Sequence, residues 1–230
     1  MLLTKKSKVM ARVCHHRGIG KENTIEAISS AIQVSPFIVE FDVQLEKSKL
    51  NLGHPPDLGK NTVVEALELF KNNRLLPKID LKLTSKSFDE ALSLLVDVLT
   101  AWAPRKALVN ISGDLNANQY MQAEQLLMSK TGDATLLNID LGRYGANDRD
   151  EIIGHIRGLE RVPFSISPNL DDDIATAIDI AKIVGIPHLH FWSTFDKHYS
   201  TTYLYSQMKL CQGNGLEVYF DIKDSNVIRD

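Results

Sequence analysis

Two carboxylates interrupt an otherwise apolar segment in the first fifth of the sequence. Residues 37–45 read FIVEFDVQL, with Glu40 and Asp42 two positions apart. In a β-strand, residues i and i+2 point to the same face, so these carboxylates would lie side by side while the apolar residues occupy the other face. Like charges in a poorly solvated site repel each other unless a proton or a cation compensates them. The spacing therefore makes this strand a candidate cation site.

A second segment repeats the alternation. In residues 77–83, PKIDLKL, the charged residues Lys78, Asp80 and Lys82 alternate with aliphatic ones. If the aliphatic residues face helices, the charged ones converge on the other face, where buried charges need partners. The three carboxylates and two lysines form a network that can neutralise itself, and the carboxylates can also hold one divalent cation. Their hard oxygen ligands suit Mg²⁺ or Ca²⁺ better than zinc.

Histidines and an arginine lie where the flanking strands would end. His16 and Arg17 follow the first apolar segment, and His54 follows a short extended segment after the second. Phosphodiester cleavage needs one imidazole to remove a proton from the attacking oxygen and another to protonate the leaving alcohol. It also needs positive charge near the phosphoryl oxygens. His16 and His54 are therefore the candidate acid–base pair. Because successive side chains of a strand alternate between its two faces, His15 points away from them and is expected to have a packing role.

Eight short apolar segments, separated by segments with helical spacing, run along the chain and are the elements that must position these residues. The predicted strands are residues 9–15, 37–43, 77–83, 107–112, 134–140, 162–167, 187–193 and 216–222. Among the helix signals, Asn61 and Ser87 are predicted N-caps and Gly185 is a predicted terminator.

Eight strand–helix units predict parallel pairing through right-handed crossovers and an α/β fold of the compact (β/α)8 TIM-barrel type. Active sites of such barrels lie at the carboxyl ends of the strands, where the charged residues above would meet. A doubly wound open sheet is the rival fold, but the sequence has no G-x-G-x-x-G turn to support it.

Composition narrows the class of protein. The 230 residues, with a net charge of −3 and no long Lys/Arg run, suit a single domain over residues 1–230 and give no indication of a nucleic-acid partner. We expect no signal peptide and no integral membrane segment, since no apolar run approaches about 20 residues. Cys14 and Cys211 are interpreted as reduced thiols of a cytoplasmic protein, with one disulfide as the alternative. The sequence does not predict an oligomeric state.

The N-terminal motifs resemble a known family. The segment HRGIGKENTIEAISSAI, then IVEFDVQL and a later histidine, is similar to the glycerophosphodiester phosphodiesterases of the phospholipase-C-like superfamily of TIM barrels. The resemblance covers about the first 85 residues, and it implies a small-molecule phosphodiester substrate and a divalent metal ion. It assigns the metal to Glu40, Asp42 and Asp80, proton transfer to His16 and His54, and phosphate binding to Arg17 and Lys82.

Three departures from that family leave other functions open. Pro55 follows His54 where the family has aspartate, Asp80 stands where it has glutamate, and no subdomain is inserted after His54. In these respects GHPPD, KIDLK and VNISGD resemble the menorin family, a divergent branch of the superfamily. The alternatives to glycerophosphodiester hydrolysis are a lyase-like enzyme acting on phospholipids and a menorin-like binding or signalling protein with little catalysis. A lysine amine in the space of the metal would favour the binding protein.

Several other polar residues are interpreted as structural. Glu22 is expected to brace the rim, and Lys78 to pair with carboxylates deeper in the barrel. Trp192 is either a pocket floor for a choline-like group or, in the favoured interpretation, part of the core. Asn110, Asp140 and Asp221 lie at strand ends, and their favoured interpretation is structural, with lining of the pocket as the alternative. No function is assigned to His155, His188, His190 and His198.

Overall fold

Parallel strands close into a barrel in the computed structural model of the protein, which describes residues 11–34, 36–144, 149–168, 171–192 and 201–222. The strands are β1 (Ala11–His15), β2 (Ile38–Glu46), β3 (Lys49–Leu52), β4 (Leu76–Thr84), β5 (Ala107–Asp114), β6 (Thr135–Asp140), β7 (Ser165–Ser167), β8 (His188–Phe191) and β9 (Glu217–Ile222). Eight of them pair in parallel in the order β1-β2-β4-β5-β6-β7-β8-β9, and β9 pairs with β1 to close the ring. The predicted TIM barrel is confirmed.

The remaining strand, β3, forms an antiparallel hairpin with β2. Its two turn residues, Lys47 and Ser48, both have positive φ angles, of 48° and 59°. This geometry is typical of the tight turns that match the twist of paired strands. The hairpin leads the chain back along β2, so that residue 54 follows at the carboxyl end of the barrel strands.

Helices α1–α7 lie between the strands, in the segments for which the sequence shows helical spacing. They are α1 (Ile25–Gln33), α2 (Val63–Glu68), α3 (Phe88–Trp102), α4 (Ala117–Thr131), α5 (Arg149–Gly158), α6 (Asp171–Val184) and α7 (Thr201–Gly213). None of the helices in the described ranges is long and apolar enough to cross a membrane.

Two of the three predicted helix ends hold. Gly185 terminates α6 with a φ of 81°, and its N–H donates to Ala181 O at 2.8 Å. Ser87 occupies the N-cap position of α3, but its hydroxyl bonds to Thr84 and not to the helix. The prediction of Asn61 as N-cap is wrong by one residue, because the N-cap is Thr62. Thr62 and Glu65 form a capping box, in which the side chain of each accepts a hydrogen bond from the backbone N–H of the other.

Strand register produces the alternation that the sequence predicts. On β2 and β4 the apolar residues that face the helices are mostly fully buried in one cluster, as Phe41 and Ile79 illustrate. The opposite set points into the barrel, where Asp42 is level with Asp80 and Gln44 is level with Lys82. Burying each large apolar side chain stabilises the fold by about 1.5–3 kcal/mol. A one-residue slip would exchange the two faces, so this burial fixes the position of the charged residues.

Both cysteines are free and buried. Cys14 lies on β1 level with Asp221 of β9, whereas Cys211 lies in α7 on the outer layer. The two cysteines therefore do not pair with each other, and the alternative of a disulfide between them is wrong.

Candidate active site

The three predicted metal ligands lie together inside the barrel. Oxygen atoms of Glu40, Asp42 and Asp80 are all within 4.8 Å of one another. The side chains of Glu40 and Asp42 are 0% exposed, and that of Asp80 is 5% exposed. Three like charges in so little water require nearby positive charge.

Lys82 and Arg17, the two residues predicted to bind phosphate, supply part of this positive charge. Lys82 Nζ bridges two carboxylates, at 2.8 Å from Asp42 Oδ1 and 2.6 Å from Asp80 Oδ2. Arg17 Nε lies 2.6 Å from Asp42 Oδ2. A lysine amine therefore fills the gap between two of the three carboxylates, which is the feature that favours a binding protein.

The pKa values of the two aspartates move in opposite directions. Burial alone would raise the pKa of Asp80, but the ammonium of Lys82 and the hydroxyl of Ser112 lower it to about 2. The Ser112 hydroxyl donates to Asp80 Oδ1 at 2.6 Å. Burial raises the pKa of Asp42, and repulsion from Glu40 and Asp80 adds to this increase, which Lys82 opposes without reversing. The position of Asp42 between two carboxylates explains the difference.

His16 provides a further positive charge. Its Nδ1 forms an ion pair with Glu40 Oε2 and lies 3.7 Å from Asp221 Oδ2, and the side chain is 10% exposed. Burial would lower the pKa of His16, but the two carboxylates outweigh it and raise the pKa to about 10. The imidazole is therefore protonated at neutral pH in the absence of a metal.

This protonation predicts a pH-dependent stability of the metal-free protein. The pKa of His16 is raised from 6.5 to about 10 on folding, so its contribution is present below pH 6.5 and is lost as the pH rises to 10. We expect the difference in unfolding free energy between the wild type and His16→Gln to shrink by roughly 3–5 kcal/mol across this window. Urea unfolding in EDTA at successive pH values measures it. His188→Gln is the control, and parallel curves for wild type and His16→Gln would contradict the prediction.

A deeper layer of charge lies beneath His16. Lys78 Nζ is 3.5 Å from Asp221 Oδ2 and 3.4 Å from His190 Nε2. His190 Nε2 in turn lies 2.5 Å from Asp221 Oδ1. Burial would raise the pKa of Asp221, but His190, Lys78 and His16 hold it well below its usual range. Lys78 thus pairs with a carboxylate deep in the barrel, as the sequence predicts.

Together these contacts define one carboxylate network. Its four buried carboxylates and, with His16 protonated, four cations balance each other. The members are Glu40, Asp42, Asp80 and Asp221 with Arg17, His16, Lys78 and Lys82.

The contacts in the loop after β1 show what several residues of its sequence motif do. Gly18 has a φ of 81°, and a Cβ there would lie 2.6 Å from the backbone of Ala27, so this position requires glycine. Arg17 Nη1 donates to Glu22 Oε2 at 2.9 Å, so Glu22 braces the rim as expected. The hydroxyl of Thr24 caps α1.

Asn23 is a site residue that the sequence prediction missed. Its Nδ2 donates to Asp42 Oδ2 at 2.9 Å, and its Oδ1 accepts from the backbone N–H of Asp42 at 2.8 Å. The residue has a φ of 56°, a conformation that asparagine tolerates better than most residues. An asparagine in a turn after a strand is the signal that was available. Asn23 fixes both the loop and the carboxylate that Arg17 contacts.

Asp221 and His190 were likewise not predicted as site residues. Alternation places His190 and Trp192 on one face near the end of β8, and Asp221 comes near the end of the last strand. These are the positions that face the barrel interior. His155, which also has no predicted function, pairs with Glu124 between helices, and His198 lies outside the described residues.

His54 lies apart from the carboxylate network. It is exposed, its Nδ1 lies 2.8 Å from Pro55 O, and none of its described contacts is a bond to a site carboxylate. It lines an open cavity of about 460 Å³ together with Lys82, Ser112 and Arg143. The structure thus brings six of the seven predicted site residues into direct contact and places the seventh on the rim of the adjoining cavity.

The donor set fits a hard divalent cation. Glu40 Oε1 is buried and has no hydrogen-bond partner among the described residues. An unpartnered carboxylate oxygen beside two further carboxylates is the arrangement that Mg²⁺ or Ca²⁺ satisfies. The residues present are therefore compatible with the metal that the family resemblance implies.

Solved structures of other proteins share this fold. A phosphodiesterase from Oleispira antarctica, in complex with the product sn-glycerol-3-phosphate, is similar with a TM-score of 0.54 and 14% identity, over 91% of this chain and 92% of that chain. A D-psicose 3-epimerase from Clostridium cellulolyticum H10 has a TM-score of 0.56 and 10% identity, over 92% and 85%. A monomeric dihydrodipicolinate synthase variant has a TM-score of 0.59 and 13% identity, over 93% and 69%.

Sequence comparisons add no family assignment. No protein-family model matches the chain, and no curated protein matches it. Since the structural neighbours differ in activity and are less than 15% identical, they show a common barrel fold. The activity has to be argued from the site.

Proposed function

We propose that the protein is a metal-dependent phosphodiesterase that hydrolyses glycerophosphodiesters to glycerol phosphate and an alcohol. The observation that carries the proposal is the buried group of Glu40, Asp42 and Asp80, with an imidazolium and two further cations in contact with it. The structural similarity to a phosphodiesterase with bound sn-glycerol-3-phosphate is consistent with it.

Arg17 and Lys82 are the phosphate-binding residues in this proposal. Both have partly exposed side chains, at 17% and 12%, and both form ion pairs with Asp42. Lys82 also lines the cavity. A guanidinium and an ammonium neutralise the charge that develops on the phosphoryl oxygens. A divalent cation bound by the three carboxylates supplies further positive charge for the same purpose.

The two histidines divide proton transfer between them. His54 Nδ1 faces the carbonyl oxygen of Pro55, which can only accept, so Nδ1 carries a proton and Nε2 is the ring nitrogen that can act as a base. His16 is protonated and is held at Nδ1 by Glu40, so its Nε2–H is the donor for the leaving alcohol. This division assigns His54 as general base and His16 as general acid.

One observation favours a second candidate function. The Lys82 amine bridges Asp42 and Asp80, and the carboxylate network is balanced without a metal. A protein that uses the barrel for binding and has lost efficient catalysis would retain such a network for stability. Its discriminating property is the absence of Mg²⁺ or Ca²⁺ binding at millimolar concentration.

Product release tests the proposed function. Glycerophosphodiesters with different alcohols are incubated with the protein in Mg²⁺, Ca²⁺ or EDTA, and glycerol phosphate is measured. We expect turnover that requires metal, is abolished in Glu40→Gln and is retained in Glu90→Gln, a matched change on the exposed face of α3. Turnover that persists in EDTA and in Glu40→Gln would refute the metal site. A folded protein that neither binds metal nor cleaves any diester would support the binding function.

A further inference from the structure

The cavity beside Lys82 carries information about the alcohol of the substrate. It opens at the carboxyl ends of β2, β4 and β5, and we call it the β2–β5 groove. Its described polar lining residues are Gln44, His54, Lys82, Thr84, Ser87, Ser112, Asp114 and Arg143. With a volume of about 460 Å³ it falls in the range of small-molecule sites.

The groove connects directly to the carboxylate network. Gln44, Lys82 and Ser112 are level with one another on the three neighbouring strands. Ser112 donates its hydroxyl proton to Asp80, so its oxygen offers a ligand only lone pairs. A phosphate held by Lys82 would therefore place one of its two ester arms in the β2–β5 groove.

Arg143 is a preorganised donor in this groove. Its Nε lies 2.9 Å from Asp140 Oδ2, and Asp140 Oδ1 accepts the N–H of Gly142 at 3.1 Å. The side chain is 37% exposed although the carboxylate that anchors it is buried. This ion pair holds the planar guanidinium beside Asp140, and the outer N–H groups are the donors that remain for a ligand.

The groove carries charges of both signs, and these do not favour an alcohol that is itself charged. Beyond Lys82, which the aspartates already engage, the described lining residues include one guanidinium and one exposed carboxylate, Asp114. Hydroxyl and amide groups, of which Thr84 and Gln44 are examples, complete its polar surface. A hydroxyl group both donates and accepts hydrogen bonds, so a polyhydroxy alcohol uses such a mixed lining fully.

Choline and other quaternary ammonium groups are typically recognised by aromatic side chains. Among the described residues that line the groove there is no phenylalanine, tyrosine or tryptophan. Trp192, the predicted floor of a choline pocket, lies instead against the barrel interior with Lys78 Nζ 4.0 Å from its ring centroid and the His190 ring stacked at 5.2 Å. The cation–π position of that ring is therefore occupied by a residue of the protein itself.

We infer that the β2–β5 groove binds the alcohol arm of the diester as an uncharged polyhydroxy alcohol, such as glycerol, inositol or a sugar, in preference to choline. Arg143 and Asp114 are the specificity-determining residues, as donor and acceptor respectively. This inference rests on the proposed phosphodiesterase function and adds the substrate class.

Paired substrates test the inference. We expect kcat/KM for glycerophosphoinositol to exceed that for glycerophosphocholine by about tenfold or more, and Arg143→Met to lower the former by about 10–100-fold while changing the latter little. Arg149→Met, which alters an ion pair between α5 and α6, is the matched control. Because Arg143→Met leaves buried Asp140 without its partner, Asp114→Asn is the second variant, with the same selective loss expected. Equal rates for the two substrates, or equal losses in a variant, would overturn the inference.

A binding measurement separates this inference from the proposed function. If no diester is cleaved, the phosphodiesterase proposal fails, and saturation-transfer NMR with free myo-inositol and choline chloride still tests the groove. Contact with myo-inositol that is lost in Asp114→Asn supports polyol binding. Contact with choline alone, or with neither compound, refutes it.

Discussion

Replacing His16 with glutamine is expected to lower kcat for glycerophosphodiester hydrolysis by about 10²–10⁴-fold. The substitution removes the imidazolium that Glu40 and Asp221 hold in place, and the amide of glutamine is too weak an acid to protonate the leaving alcohol. The phosphate ligands Arg17 and Lys82 are unchanged, so KM should change much less than kcat. Steady-state kinetics at saturating Mg²⁺ measure both constants.

The neighbouring residue provides the control for this prediction. His15 is also buried, but it lies on the opposite face of β1 from the site, and burial lowers its pKa. His15→Gln should therefore keep kcat within about threefold of wild type, even if it lowers stability by about 1 kcal/mol. Equal losses in the two variants would indicate a structural effect of this strand and contradict a catalytic role of His16.

Removing the amine of Lys82 is expected to strengthen metal binding and weaken catalysis at the same time. The amine lies between Asp42 and Asp80, so a divalent cation at these carboxylates must displace or repel it. Lys82→Met should raise the affinity for Mg²⁺ or Ca²⁺ by at least about tenfold. The same variant should lose turnover, because it lacks one of the two phosphate ligands.

Isothermal titration calorimetry and product release give the two measurements. Lys86→Met, a change at an exposed position beyond the end of β4, is the matched control and should affect neither. Metal affinity that falls in Lys82→Met would show that the lysine does not compete with the cation. Opposite changes in affinity and turnover distinguish a competing phosphate ligand from a lysine that only stabilises the fold.

The positions of the carboxylates were predictable because they follow from short-range rules. Alternation along β2 and β4 places Glu40, Asp42 and Asp80 on one face, and the burial of the apolar face fixes the register. The count of strand–helix units then predicts the barrel and the end at which the site lies. These arguments need no knowledge of which distant strands meet.

Other parts of the site depend on contacts that such rules do not contain. Asp221 and His190 join the network only because β9 pairs with both β8 and β1, which closes the ring over more than 200 residues. From its backbone position, the long side chain of Lys82 can reach either a bound phosphate or a carboxylate. That Lys82 contacts both Asp42 and Asp80 depends on how the charged side chains of different strands are arranged in the folded barrel, which its spacing in the sequence does not determine.

The closure of the barrel also has a consequence for folding. Asp221, on the last strand, is the carboxylate partner of Lys78 on β4, and it contacts His16 just after β1. The docking of β9 brings Asp221 to Lys78, so the ammonium loses its water and gains its nearest counter-charge in the same step. The two ends of the chain are thereby coupled electrostatically, and the barrel gains cooperativity that hydrophobic packing of successive strand–helix units would not provide by itself.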